Sequence, residues 1–247
     1  MAEILYGRNA VRESLHARRR HFHRLIVAEN VQSSAVIDEI HQLAQQNKVP
    51  TYQATRKELS QLAKGHQGVV LEVGLYPVVD LEDIFRHAQE RNQPPFIVVL
   101  DHLEDPHNVG AILRTAEATG VHGIIIPKQR AAGVTPAVIS ASAGAAEHML
   151  VAEVSNLTQT LKKLHQQQLW ITGLAFDTTA MPYHKANLSG AIAVVVGNEG
   201  DGLSRLVKTT CDFTVKIPMR GNIESLNASV ACSLILYEVW RARGFDR

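Results

Sequence analysis

AIAVVVGNEGDGLS at 191–204 and IPMRGNIESLNASVACSLILYE at 217–238 decide how this chain folds. Each starts as an apolar run, turns at a glycine-bearing loop and feeds a helix. An α/β sheet presents backbone groups and a few polar side chains to a ligand at its strand ends in this way. DHLEDPHNVGAILRTAEATG at 101–120 has the same layout. Three such loops in one domain imply a site, and their side chains indicate which one.

Working outward, FIVVLD at 96–101, GIIIP at 123–127, LWITGLA at 169–175, AIAVVVG at 191–197 and FTVKIP at 213–218 read as buried strands. Helices are expected between them at 108–119, 135–146, 156–168, 202–209 and 226–243. Near-continuous apolar strands alternating with helices predict an α/β fold with a parallel sheet covered on both faces. Upstream lies a small α/β/α unit. Its expected elements are a helix at 7–17, a strand at 22–28, a helix at 33–47, a strand at 49–54, a short helix at 56–63 and a strand at 68–73. The helix at 33–47 carries Val36, Ile37, Ile40, Leu43 and Ala44 on one face. The polar helix LEDIFRHAQERN ends before Pro94-Pro95, and Pro-bearing connections mark a boundary. The expected division is 1–74, a connecting segment 75–93, and 94–247.

The 247 residues are 45% hydrophobic and 20% charged, the composition of a soluble globular protein. No signal peptide is read at the N-terminus and no apolar run is long enough to span a bilayer, so a cytoplasmic location is expected. Cys211 and Cys232 make no disulfide framework. The twelve histidines show no metal-ligand spacing, so no metal is expected. Net charge is only +1, which makes no global claim on nucleic acid. Locally, residues 8–24 hold Arg8, Arg12, Arg18, Arg19, Arg20 and Arg24 against the single acid Glu13. This run is either a solvated helix end or a phosphate-contacting patch, which Arg56, Lys57 and Lys64 would extend.

In the first loop, Asn108 is either a helix N-cap or a site residue. Arg114, six residues on in a small and apolar stretch, calls for a partner. Its permanent charge suits a phosphate or a developing oxyanion better than proton abstraction. The second loop, GNEGDG, spaces its glycines as GxxGxG, which is neither the GxGxxG of dinucleotide sites nor a Walker loop. Glu199 there either favours the following helix dipole or orients Arg114 or Asn108. In the third loop Ser225 and Asn227 flank Leu226, and one of them caps a long helix. Backbone amides beside Ile217 and Leu226 suit an adenosine moiety.

DPHNVGAILRTAEATG, VVVGNEGDGLS and IPMRGNIESLNASVACSLILYE resemble motifs 1, 2 and 3 of the SpoU (TrmH) class of SPOUT RNA 2′-O-methyltransferases. The resemblance spans about residues 94–247. The N-terminal unit, from ILYGRNAV to HQGVVLEV, resembles that class's L30e-like RNA-binding domain. The two-domain layout is most similar to the RlmB type, which methylates a guanosine ribose in large-subunit ribosomal RNA. The resemblance implies a deep trefoil knot in the C-terminal domain and S-adenosylmethionine bent within it. Gly197, Ile217 and Leu226 would contact this cofactor, with Leu174 and Gly221 beside them. It also implies a homodimer in which Arg114 serves a cofactor held by the other subunit, with Asn108, Glu199, Ser225 and Asn227 as further catalytic residues. RNA would be held by Arg8, Arg18, Arg19, Arg20 and Arg24. The same chemistry on tRNA or another rRNA nucleotide is the nearer alternative. A non-catalytic RNA-binding ribosome-assembly factor is the more distant one.

Overall fold

The computed structural model describes residues 2–245. The backbone divides into two units, Met1–Pro77 with Val134–His148, and Val78–Gly133 with Met149–Arg247. The first unit therefore takes in a segment that the sequence assigns to the C-terminal domain. The reason is packing and hydrogen bonding within that unit: Tyr76 donates its hydroxyl to Ala146 O at 3.0 Å, and Arg20 pairs with Glu147 at 2.8 Å.

The first unit contains β1 (Glu3–Tyr6), α1 (Arg8–Ala17), β2 (Phe22–Ala28), α2 (Ala35–Gln46), β3 (Thr51–Ala54), α3 (Arg56–Leu62) and β4 (Val69–Val73). Its sheet order is β1-β4-β2-β3, with β4 antiparallel to both β1 and β2, and β3 parallel to β2. Helices α2 and α3 begin where the sequence supplies caps, whereas α1 follows Gly7 with no side-chain cap. Ser34 accepts from Ile37 N, and Thr55 forms a capping box with Glu58. β1 is an edge strand of four residues, too short for its alternation to register in the sequence.

In the second unit β5 (Phe96–Asp101), β6 (Gly123–Pro127), β7 (Val151–Val154), β8 (Trp170–Leu174), β9 (Met181–Pro182), β10 (Ile192–Gly197) and β11 (Phe213–Lys216) form one sheet of order β7-β6-β5-β10-β8-β11-β9. Every pairing is parallel. The helices are α4 (Leu81–Glu90), α5 (Pro106–Ala118), α7 (Leu157–Gln166), α8 (Arg205–Thr210) and α9 (Ala228–Ala242). α6 (Pro136–Ala141) lies in the first unit, followed by a single 3₁₀ turn, Ala145–His148, where one continuous helix was expected. Of the strands of this sheet, β7 and β9 escape the sequence reading, β7 for its mixed VAEV pattern and β9 for its two-residue length.

Strand β10 lies between β5 and β8, and its register sets Gly197 against Asp101. Because the strands run parallel, the loops that follow β5, β10 and β11 leave the sheet on one edge. Those are the three loops that the sequence singled out.

Candidate functional site

Each loop reaches this edge by a different local device. After β5, Asp105 caps α5 by accepting from His107 N at 3.0 Å, and Pro106 fills the first helical position. Asn108 is therefore not the cap. It sits buried in the first turn, where its Nδ2 donates to Asp105 Oδ2 at 3.0 Å and to Glu199 Oε1. After β10 the chain folds back on itself. Asn198 N donates to Gly202 O at 3.1 Å, Gly202 N returns to Asn198 O at 2.9 Å, and Gly202 adopts φ +68°. A Cβ on Gly197 would lie 2.2 Å from the Gly202 carbonyl carbon, so the strand end must be glycine. Helix α8 starts at Arg205, not 202, so Glu199 lies outside its first turn and does not serve its dipole.

The third loop closes the arrangement. Asn227 Oδ1 caps α9, accepting from Ser229 N at 2.9 Å and Val230 N at 3.3 Å. Its Nδ2 points the other way, donating to Asn108 Oδ1 at 2.9 Å and Glu199 Oε1 at 2.7 Å. Asn227 is thus a cap and a member of the polar cluster at once. Ser225, exposed, is not part of that cluster.

A cavity of about 410 Å³ opens beside this cluster, lined among others by Leu174, Gly197, Glu199, Ile217, Ser225 and Leu226. Gly221 is exposed and does not line it, because the 217–227 loop carries it outward. Lys208 and Lys216 border the cavity with Asp177. Lys208 Nζ lies 2.6 Å from the Asp177 carboxylate, and Lys216 Nζ donates to Asp177 O at 3.2 Å. The Lys208 ammonium, with hydrogen bonds from Thr179, holds the Asp177 carboxyl well below its ordinary range. None of these three was read as a site residue. Their stretches lack the glycine and capping signals that flagged the other loops.

Arg114 is exposed on α5 and, among the described residues, makes no hydrogen bond or ion pair. The partner expected for it is not among the described residues, and Glu199 orients Asn108 rather than Arg114. Next to it, Thr115 Oγ1 meets Ser233 Oγ at 3.0 Å and ties α5 to α9. Burial pushes both thiols, Cys211 and Cys232, up to about 12, so neither is a nucleophile at neutral pH. Among the described residues no group of His, Cys, Asp and Glu could hold a metal ion. Nor is any described helix long and apolar enough to cross a membrane.

The basic run in the first unit is corrected more sharply. The Arg20 side chain is wholly buried, pairing with Glu3 at 2.5 Å and Glu147 at 2.8 Å. It cannot meet RNA. Arg19 also turns inward, donating to Glu147 O at 3.2 Å and Pro77 O at 3.4 Å, with its guanidinium 5.6 Å from the Tyr76 ring centre. Arg8 is held by Gln67 O and Ser34 Oγ, at 3.2 and 3.3 Å. Arg24 is exposed but paired with Glu72 at 2.6 Å. Arg18, the left-handed C-cap of α1 at φ 53°, is the run's open member, with one long contact to Gln46 at 3.4 Å. A run of arginines could not show this division, because the two carboxylates that claim Arg20, the half-buried Glu3 and the buried Glu147, lie outside the run.

Comparison with known proteins places the chain. The profile of the SpoU rRNA Methylase family matches residues 95–237, and that of RNA 2′-O ribose methyltransferase substrate binding matches residues 4–79. A Bacillus subtilis protein, YacO, provisionally assigned as a TrmH family tRNA/rRNA methyltransferase, is 44% identical over 98% of this chain and 96% of its own. A Staphylococcus aureus protein with the same provisional assignment is 40% identical over 97% of this chain and 96% of its own. The SpoU methyltransferase AviRb from Streptomyces viridochromogenes, solved in complex with the cofactor AdoMet, shares the fold. It superimposes with a TM-score of 0.81 at 24% identity, covering 99% of this chain and 92% of AviRb. This chain belongs to the SpoU family of RNA methyltransferases.

Proposed function

We propose that this protein transfers a methyl group from S-adenosylmethionine to a ribose 2′-hydroxyl of RNA, with a guanosine of large-subunit ribosomal RNA as the target. The observation that carries this reading is the joining of Asn108, Glu199 and Asn227, from three separate loops, beside a cavity that Glu199 itself lines.

The cavity fits the cofactor that the family implies. Its volume falls in the range of small-molecule sites, and Leu174, Ile217 and Leu226 give it apolar walls for a ring. When bound, S-adenosylmethionine supplies a methyl group on a positively charged sulfur, already a strong electrophile. What remains for the protein is alignment and an increase in the negative character of the hydroxyl. The amides of Asn108 and Asn227 and the carboxylate of Glu199 hold one another, so the 198–202 loop is presented in one conformation. Arg114 contributes a fixed positive charge for the phosphate beside the target ribose and for the oxygen as it becomes anionic. The proton leaves to water.

Arg114 acts across a homodimer in this reading. Val230, Leu234 and Tyr237 form a stripe along α9 and are 48%, 41% and 48% exposed, an apolar face suited to a second copy. The knot belongs to the same proposal, supported by the insertion of β10 between β5 and β8. The substrate-binding match over residues 4–79 supports assigning the first unit to RNA, with Arg18, Arg24 and Arg56 among its exposed arginines.

The test is incubation with labelled S-adenosylmethionine and total RNA from a strain lacking the protein, followed by mapping of alkali-resistant linkages. Resistance at a guanosine of large-subunit RNA is expected. Label confined to tRNA would replace the target, and label in no RNA would overturn the reading.

A further inference from the structure

We infer that Asp101 and His102, at the end of β5, form a clasp that grips both stems of the 198–204 loop and thereby sets the position of Glu199.

Asp101 is the last residue of an entirely buried strand and is itself only 1% exposed. A carboxylate taken out of water must have its oxygens occupied. Here Oδ1 accepts from His102 Nδ1 and Oδ2 accepts from Ser204 N, both at 2.6 Å. Ser204 is the far stem of the loop. The near stem is gripped by the neighbouring residue, since Asn198 Nδ2 donates to His102 O at 3.1 Å. That carbonyl faces Asn198 in a backbone where His102 takes φ 59°, a left-handed conformation that a side-chain-bearing residue adopts at a cost. The imidazole–carboxylate bond offsets that cost and fixes the tautomer with its proton on Nδ1.

Two stems six residues apart are therefore tied to the last residue of β5 and the residue that follows it. Glu199 directly follows the first tied stem, and its carboxylate must reach Asn108 and Asn227. Asp101 and His102 are positioning residues. The step from Glu199 to methyl transfer rests on the proposed function.

Asp101→Asn keeps the shape but offers one good acceptor where two N–H groups need one. In the full-length protein without cofactor, amide hydrogen exchange at 200–204 is expected to rise about tenfold, with global stability little changed. S-adenosylmethionine should bind about tenfold more weakly by calorimetry. The loss of methyl transfer should shrink markedly in a Glu199→Gln background, because both changes act through one side chain. Unchanged exchange and affinity, or the same fractional loss in both backgrounds, would overturn the clasp. His102→Gly is the second variant. It accepts φ 59° and keeps the carbonyl for Asn198 but removes the imidazole, and it should raise exchange at Ser204 even if Asp101→Asn does not fold. A protein showing these exchange differences while methylating no RNA would leave the clasp standing and refute the proposed function.

Discussion

Asn227 Nδ2 lies 2.7 Å from Glu199 Oε1, although 28 residues and a strand separate the two in the chain. The contact exists because Asn227 spends its other side-chain atom on capping α9, which fixes the direction of its amide group. One residue thus connects the start of a helix to the tip of a glycine loop.

The two roles of Asn227 can be separated. Serine caps helices as well as asparagine does but lacks the second donor. Asn227→Ser is expected to stay within about 0.5 kcal/mol of wild type in urea denaturation while methyl transfer falls about tenfold or more. Equal losses of stability and activity would show that capping is all Asn227 does.

Among the described residues Arg114 makes no hydrogen bond or ion pair and its side chain is exposed, so its replacement should not affect folding. Arg114→Ala should shift stability by less than about 0.5 kcal/mol and leave S-adenosylmethionine affinity near normal, yet lower turnover about a hundredfold. Arg114→Lys should keep a measurable fraction of the rate at neutral pH, since it retains the charge. No activity from the lysine variant at any pH would count against a purely electrostatic role.

Arg20 and Arg18 sit two residues apart and should behave oppositely. Arg20→Ala leaves Glu147 buried without its cation and should cost about 3–5 kcal/mol, read by denaturant midpoints. Arg18→Ala should leave stability unchanged and weaken RNA binding, reducing the slope of log affinity against log salt by about one unit. An Arg18 variant with the wild-type salt dependence would remove it from the RNA surface.

Acid stability should report on His122. Its Nδ1 accepts from Phe96 N at 3.0 Å, and its Nε2 meets Gln93 Oε1 at 3.0 Å, so the ring is held neutral. Burial first, then the nearby Arg243, His87 and Arg91, lowers its pKa to about 4. The unfolded chain takes up this proton near pH 6.5, before the native state does. Stability from this group is therefore complete above pH 6.5 and declines as pH falls from 6.5 toward 4. His122→Gln should flatten that part of the curve in pH-dependent urea titrations. Parallel curves for variant and wild type would assign the decline elsewhere.

Much of this architecture is written in local sequence. Strands such as FIVVLD and GIIIP were legible to the residue because a parallel strand buried on both faces must be continuously apolar. The three site loops were legible because sharp turns need glycine and helix starts need capping side chains, and both demands fall on neighbouring residues. Strands β1, β7 and β9 were not, being short enough for sheet pairing rather than pattern to create them.

What only the tertiary structure decided were the pairings between distant residues. The sequence could offer Asn108 and Asn227 as caps or as site residues. Only the folded chain's hydrogen bonds show that Asp105, not Asn108, caps α5 and that Asn227 both caps α9 and reaches Asn108 and Glu199. Likewise, six arginines in one run share the same local chemistry. Glu3 and Glu147 set the buried Arg20 apart from the rest because a charge withdrawn from water must find its counter-charge in space, wherever in the chain that lies.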